Sequence, residues 1–595
     1  MSNLWMRPAE APAGTYLVVF RCCFSLTEKR KIPFQFSADC RAQLYIDGKR
    51  LLEGPERGAV EYWYYQNGEL DLDPGNHVFT ARVICLEPDI KKRLCAYSQM
   101  CIRHGFYIKE DSGLLKDWEY QIESGIEYFV PTLDWGAFPR VKVAATYNTA
   151  ILAGQGGEWN AVEYFEDDRE LHTPDLPLMR YEEIVPVLKS PGVYYFPEYV
   201  LVWAQYHFTG HGKVRIRWAE TPYLSEQYDE IHLEGVKGNR DGKYFIGNGD
   251  EFEVDGELSW TAFWWRAGHY VEFVTEGDVK YEARYFQTGY PYVFPEPKNQ
   301  LEKMAFETLR ACSFETLMDC PYFEQNLYAG DSRIEMLSIY RLTDDHRLVA
   351  KCLRMLSCSQ KPDGSINAQY PSCSHQIIPC FMPIWLLAVS DYYRIHGEDE
   401  LIRYLRPKAA KLLDFFASNI QENGLLWFEG WHFTDWYDEF DNGAVPNQPD
   451  CILSFFYVMA LQQLEEMFPE HGCAKRAEAV CNAIRNVFYD PEKCLYALDA
   501  ERKYFAEHPQ VLALLTMDDT SVIPGLKACN LSQCTIYFSF YYLLACEKYG
   551  LTELKEKRLD RWRALMSEGL TTFPENFETP RSDCHAWSSH ILNFL

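Results

Sequence analysis

The sequence predicts N-terminal β-sandwich domains followed by an α/α toroid of paired helices, and three observations carry that expectation. The first half has the two-residue period of strands. The second half has the 3.6-residue period of helices. A proline-rich junction, GYPYVFPEPKNQ (289–300), separates them. At 595 residues the chain is too long for one domain, since domains usually run about 100–200 residues.

The strands come first. KVRIRW (213–218) alternates strictly, with Val214, Ile216 and Trp218 on one face. TYLVVF (15–20) and HVFTARVI (77–84) are rich in β-branched and aromatic residues. AQLYIDGKRL (42–51) carries an Asp-Gly turn, a hairpin signal. Short strands with regular turns suggest two sandwiches, over 1–105 and 106–290. The GQGG of LAGQGGEWN (152–160) is no dinucleotide fingerprint, because Trp159 stands where the third glycine of G-x-G-x-x-G would be.

Residues 291–595 then read as helices. LEKMAFETLRACSF, RLVAKCLRMLSC, PIWLLAVSDYYRIHG, LIRYLRPKAAKLLDFFASNI, CILSFFYVMALQQLEEMF, CAKRAEAVCNAIRNVFY and CTIYFSFYYLLACEKYG all repeat apolar residues at i, i+3 and i+4. Helices this apolar on more than one face must pack on both neighbours and a centre, which suits a toroid better than a small bundle.

Composition excludes several classes of function. A net charge of -28 without any Lys/Arg cluster argues against nucleic acid. No apolar run approaches the roughly 18–20 residues that span a bilayer. The 20 cysteines contain no C-x-x-C, so no zinc or redox motif is expected. Many, such as Cys352, Cys380, Cys481 and Cys546, sit in apolar segments as small hydrophobes. That usage, and an N-terminus unlike a signal peptide, suggest a cytoplasmic, reducing setting. The 40 Tyr, 36 Phe and 16 Trp fit large cores and also sugar binding, where flat rings cover the C–H face of a pyranose.

Acids in the helical half mark the candidate site. DCPYFEQNLYAGDSR (319–333) holds Asp319, Glu324 and Asp331. Asp319 also reads as a turn or N-cap acid, and Asp331 as the N-cap of the next helix. Taken singly, either structural role outweighs a chemical one. Glu324, between Phe323 and Gln325, has no capping role. Among aromatic rings its pKa would be raised, as a general acid needs. Glycoside hydrolysis requires a second carboxylate. GLTTFPENFETPRSDCHAWSSH (569–590) offers Glu575 and Glu578 beside His585 and Trp587. A third cluster, WFEGWHFTDWYDEF (427–440), includes Trp431, Asp435 and Trp436 and reads either as pocket or as a solvated amphipathic loop.

The spacing Asp-Cys-Pro-x-x-Glu-(six residues)-Asp resembles the signature loop of glycoside hydrolase family 78, the α-L-rhamnosidases. AQLYIDGKRLLEGPERG is similar to the family's N-terminal sandwich, and FWWRAGHYVEF with QTGYPY to its second. NAQYPS (367–372), FTDWYDEF and TTFPENFE…SDCHAWSSH are similar to successive pocket segments of its barrel. The resemblance covers nearly the whole chain, in order. It implies an (α/α)6 catalytic domain and an inverting glycosidase that removes terminal α-L-rhamnose. Glu324 matches the general acid and Glu575 the general base. Asp319 and Asp331 match acids that hold sugar hydroxyls, while Asp435, Trp436 and His585 match pocket-lining positions. Trp431 and Trp587 join them as candidate sugar contacts. The resemblance implies no metal and no cofactor; the partner is a rhamnosylated glycoside or oligosaccharide.

The chain departs from the family at Phe323 and Gln369, where many members carry Arg, so the pocket rim is expected to have lost charge. It also stops at HILNFL without the usual C-terminal β-domain. Two other readings stay open: a hydrolase or lyase on the same toroid acting on another deoxy sugar or a uronic acid, and a catalytically silent sugar-binding protein. The β-domains are expected to brace the barrel rather than bind sugar.

Overall fold

The computed structural model describes residues 3–87, 98–129, 139–222, 247, 249–437, 440–446, 448–528, 530–578 and 581–595. Antiparallel sheets form the N-terminal part and helices the rest.

The first sandwich packs a five-stranded sheet on a six-stranded one. Inward aromatics, among them Phe20, Phe36, Phe79, Phe106 and Trp118, fill the space between them. Arg41–Ile46 and Lys49–Gly54 are joined at Asp47-Gly48, both with positive φ (52° and 75°). Those values match the twist of a two-residue hairpin. A boundary at residue 105 cuts through this domain. Gly105–Glu110 is the central strand of the five-stranded sheet. Glu119–Ile122, Asn160–Ala161 and Glu163–Asp167 return to complete both sheets.

The second β block is one seven-stranded sheet rather than a separate sandwich. Its long strand Val193–Ala219 passes both edges of Arg266–Gln287: Tyr270 pairs with Tyr195 on one side and Ala219 on the other. The sheet therefore curls over its own apolar face. That face needs no second sheet, because Trp203, Trp218 and Trp265 share a core with Leu17 and Ile84 of the sandwich and with Phe314 and Phe323 of the helical region.

The helices are α1 (Gln300–Ala311), α2 (Ala329–Leu342), α3 (Arg347–Cys358), α4 (Phe381–His396), α5 (Glu400–Ser418), α6 (Ile452–Leu464), α7 (Cys473–Phe488), α8 (Glu507–Met517), α9 (Ile523–Lys527), α10 (Ser539–Lys548) and α11 (Thr552–Leu565). A 3-10 segment, Ala586–Asn593, follows them. The even-numbered helices and the 3-10 segment are buried around nearly their whole circumference. α5, α7 and α11 bury one stripe each. The helices buried all round accordingly form an inner ring in which α2, α4, α6, α8 and α10 pack in succession. The 3-10 segment closes the ring, packing on α2 and setting His590 and Phe594 against Phe540 of α10. This is an (α/α)6 toroid. No helix among the described residues is long and apolar enough to cross a membrane.

The two ends of the toroid differ. Three-residue turns, 397–399 and 549–551, join α4 to α5 and α10 to α11 at one end. At the other, long loops enter the N-termini of the inner helices: 312–328, 359–380, 419–451 and 569–585. Long ordered loops on a rigid scaffold are where sites are built, and inner-helix N-termini favour negative charge.

Candidate active site

Those loops line an open pocket. Asp319, Glu324, Asp331, Trp431, Trp436, Glu575, His585 and Trp587 all line it.

Asp319 opens the first loop. Its Oδ1 accepts the Asn326 backbone N–H at 2.8 Å and its Oδ2 the Cys320 thiol at 3.0 Å. It thus closes the loop as a turn acid and also faces the pocket. Burial, and then the charge of Glu324, push it well above the usual carboxylate range. Asp331 is not an N-cap. Tyr328 holds that position, and Asp331 lies in the first turn of α2. Its Oδ1 is 3.2 Å from His585 Nε2. Burial and then Asp319 raise it well above its ordinary value, and burial and then Arg581 drive His585 well below its own. The imidazole is therefore neutral.

Glu324 is not a carboxyl isolated among rings. Its Oε2 accepts the Tyr328 hydroxyl at 2.8 Å and its Oε1 accepts Arg581 Nη1 at 2.7 Å. The same guanidinium reaches Glu575, with Nε to Oε2 at 3.3 Å and Nη2 to Oε1 at 3.4 Å. Burial raises Glu575 above the usual range while Arg581 pulls it down. Arg581, Tyr328, Ile378, Phe381 and Phe433 also line the pocket and were not expected there. Only the composition of the 569–590 loop hinted at Arg581. Its guanidinium lies 5.4 Å from the centre of the fully buried Phe323 ring, so the pocket holds a cation beside the position where charge was expected to be lost.

One expected residue belongs elsewhere. Asp435 is fully buried behind the wall. It accepts His508 Nε2 and the Thr535 backbone N–H, each at 2.8 Å, the Thr535 hydroxyl, and the Trp436 N–H at 3.1 Å. The Tyr437 N–H bonds the Asp435 carbonyl at 2.9 Å, a tight turn at Trp436; Trp436 lines the pocket while the Asp435 carboxylate is held in the protein. Asp435→Ala is therefore expected to cost about 3 kcal/mol of stability by stranding buried donors. A lowered Tm with sugar affinity kept within a few-fold is the expected result; lost affinity at unchanged Tm would return Asp435 to the pocket wall.

Opposite the acids stands an apolar wall. Phe433 lies 5.2 Å from Trp431 and 5.0 Å from Trp436, ring centre to ring centre. Trp587 packs 4.0 Å from His585 and donates its Nε1–H to the Glu575 carbonyl at 2.9 Å.

The β-domains hold the acid loop from behind. Arg57 donates to the Gln325 carbonyl at 3.1 and 3.2 Å, and Trp264 Nε1 to the Gln325 side chain at 2.8 Å. Gln325 has φ of +60°, an uncommon backbone state for a non-glycine residue, held next to Glu324 by these bonds. Tyr322 donates to the Trp218 carbonyl at 2.6 Å. On the other loop, Glu220 accepts the Asp583 N–H at 3.0 Å and the Ser582 hydroxyl at 3.3 Å. Burial and then Asp583 push its carboxyl up to about 8.

Asp319, Cys320 and His585 each place a possible ligand atom within 4.8 Å of the others. Burial and Asp319 hold the thiol well above its usual range, and it donates to Asp319. His585, for its part, is bonded to Asp331.

Residues 294–514 match the family model of the bacterial alpha-L-rhamnosidase 6 hairpin glycosidase domain. No curated protein sequence matches the chain. Among solved structures, a GH78 family rhamnosidase of Bacillus sp. GL1 is similar over 100% of this chain and 91% of its own, with 16% identity and a TM-score of 0.81. An α-L-rhamnosidase from Dictyoglumus thermophilum is similar over 100% and 72%, with 15% identity and a TM-score of 0.74. A Streptomyces avermitilis α-L-rhamnosidase complexed with L-rhamnose is similar over 98% and 61%, with 15% identity and a TM-score of 0.71. The chain thus shares the fold of these structures, and within its helical region residues 294–514 resemble the bacterial α-L-rhamnosidase six-hairpin glycosidase domain.

Proposed function

We propose that this protein is an inverting α-L-rhamnosidase that removes a terminal rhamnose from glycosides or oligosaccharides. The observation that carries the proposal is the meeting of Glu324 and Glu575 on one pocket walled by aromatic rings. Glu324 protonates the departing glycosidic oxygen. Glu575 takes a proton from water, which attacks the anomeric carbon from the opposite face. Asp319, Asp331 and His585 hold ring hydroxyls. Trp431, Trp436 and Trp587, with Phe381 and Phe433, suit the apolar face and methyl group of a 6-deoxy sugar. Four carboxyl groups against one guanidinium make the described pocket a poor host for a uronic acid, so a neutral sugar is favoured. The thiol-rich composition keeps a cytoplasmic setting within the proposal.

The test is hydrolysis of an aryl α-L-rhamnoside followed by NMR before mutarotation. Prompt release of β-L-rhamnose is expected. The α-anomer appearing first would overturn inversion. Absence of turnover in folded protein, with rhamnose still bound, would turn the reading to a silent sugar binder.

A further inference from the structure

Arg581 touches both groups assigned to acid and base, and its placement is at odds with turnover. Both oxygens of Glu324 accept hydrogen bonds, one from Arg581 and one from Tyr328. That is the bonding of an ionised carboxylate, whereas a general acid must carry a proton on one oxygen and aim it at the leaving group. The guanidinium also bridges the two carboxyl groups, between which the reacting carbon and its water must sit in the proposed reaction.

We infer that Arg581 is a latch displaced by substrate: in the empty pocket it ties Glu324 to Glu575, and sugar entry moves it off Glu324 while it stays with Glu575 as counter-ion. The inference rests on the acid and base roles proposed above and adds a resting state to them.

The asymmetry follows from the loops. Arg581 and Glu575 share one loop, pinned by the Glu575 N–H on the Ser582 carbonyl at 3.0 Å and braced by Glu220. Glu324 belongs to a loop 257 positions away and keeps Tyr328 as a partner when released. Glu575 is the more deeply buried of the two carboxyls, with side-chain exposures of 7% against 15%. A buried carboxylate needs a fixed positive charge more than one at the pocket face. The other titratable groups facing this pair, among the described residues, are Asp319, Asp331, Cys320, His585 and the Tyr328 phenol. The carboxyls of Asp319 and Asp331 are raised and the imidazole is held neutral, so Arg581 is the fixed cation among them. Once released, the Glu324 carboxyl is open to the proton that the general-acid role assigned above requires.

Sugar binding and proton uptake are therefore linked. Calorimetric titration of L-rhamnose in two buffers of different ionisation enthalpy should show uptake approaching one proton per sugar for the unaltered protein. In Arg581→Met the uptake should vanish and Kd fall several-fold, because no ion pair has to break, while kcat drops about 10²-fold as Glu575 loses its counter-ion. Arg581→Lys keeps a charge but cannot fork between two carboxylates. It should also lose the linked proton while retaining more activity, which separates the latch from a folding defect. Carboxyl ¹³C NMR of the sugar-free protein gives a readout independent of substrate: the Glu575 midpoint should rise by about one pH unit or more in Arg581→Met. Equal proton uptake in both proteins, or an unmoved Glu575 midpoint, overturns the latch. No rhamnose binding together with a moved midpoint overturns the rhamnose reading and leaves the pairing in place.

Discussion

Glu575→Gln is expected to lower kcat on aryl α-L-rhamnosides by about 10³-fold, and Glu324→Gln by an amount set by the leaving group. Glutamine keeps the shape of the side chain and its contact with Arg581 but cannot take a proton from water. Loss of the base should therefore hurt every substrate alike. Loss of the acid should matter little for 4-nitrophenolate, which departs unaided, at about tenfold, and up to about 10⁴-fold for an alcohol leaving group. The base must be ionised to act, and burial raises Glu575 above its ordinary 4.5. The acid limb of kcat/KM should thus fall above pH 4.5 and disappear in Glu575→Gln. Equal losses for both leaving groups in Glu324→Gln would remove it as the acid. Retention of a tenth of the activity in Glu575→Gln would remove it as the base.

The second large effect is on stability. Glu315 is buried at the junction of sandwich and toroid, where Arg41 reaches its two oxygens at 2.8 and 2.9 Å and the Arg57 N–H donates at 2.8 Å. Glu315→Ala removes one of the two carboxylates on the buried Arg41 guanidinium and strands the Arg57 N–H, and is expected to cost about 3 kcal/mol. It should also lower activity, because Arg57 holds the Gln325 carbonyl beside Glu324. The pair has a pH signature. Burial alone would raise the Glu315 carboxyl, but Arg41 overrides it and the net shift is downward from 4.5. A depressed folded value means the stabilisation is present above pH 4.5 and is lost as pH falls through the folded value. Glu315→Gln should accordingly flatten the acid side of the stability profile measured by denaturation midpoints. An unchanged profile, or a loss for Glu315→Ala under about 1 kcal/mol, would show that the interface holds without this pair.

Period and local spacing carried much of the architecture. The switch from alternation to a 3.6-residue repeat near residue 290 marks where sheets give way to helices, because side-chain period is a local property of the backbone. Fully apolar segments such as ILSFFYVMALQQL had to become inner helices, and Asp47-Gly48 had to be a tight hairpin. α11, on the outside, and α8, in the inner ring, escaped that logic. α11 is mostly charged and buries only a narrow stripe that includes Leu559 and Trp562. α8 carries Pro509 in its first turn, where a missing N–H costs nothing.

Other features existed only in the assembled chain. Strand pairing is non-local, so the return of Glu163–Asp167 to the first sandwich and the double use of Tyr270 had no mark in the sequence. Asp435 and Trp436 share one motif, yet backbone direction sends one into the protein and the other to the pocket. By itself, the sequence determined the order of domains and the acids of the pocket, since each motif is contiguous. Only the tertiary structure decided that Arg581 joins Glu324 to Glu575. A guanidinium bridging two loops 257 positions apart is set by closure of the helical ring, which no local pattern encodes.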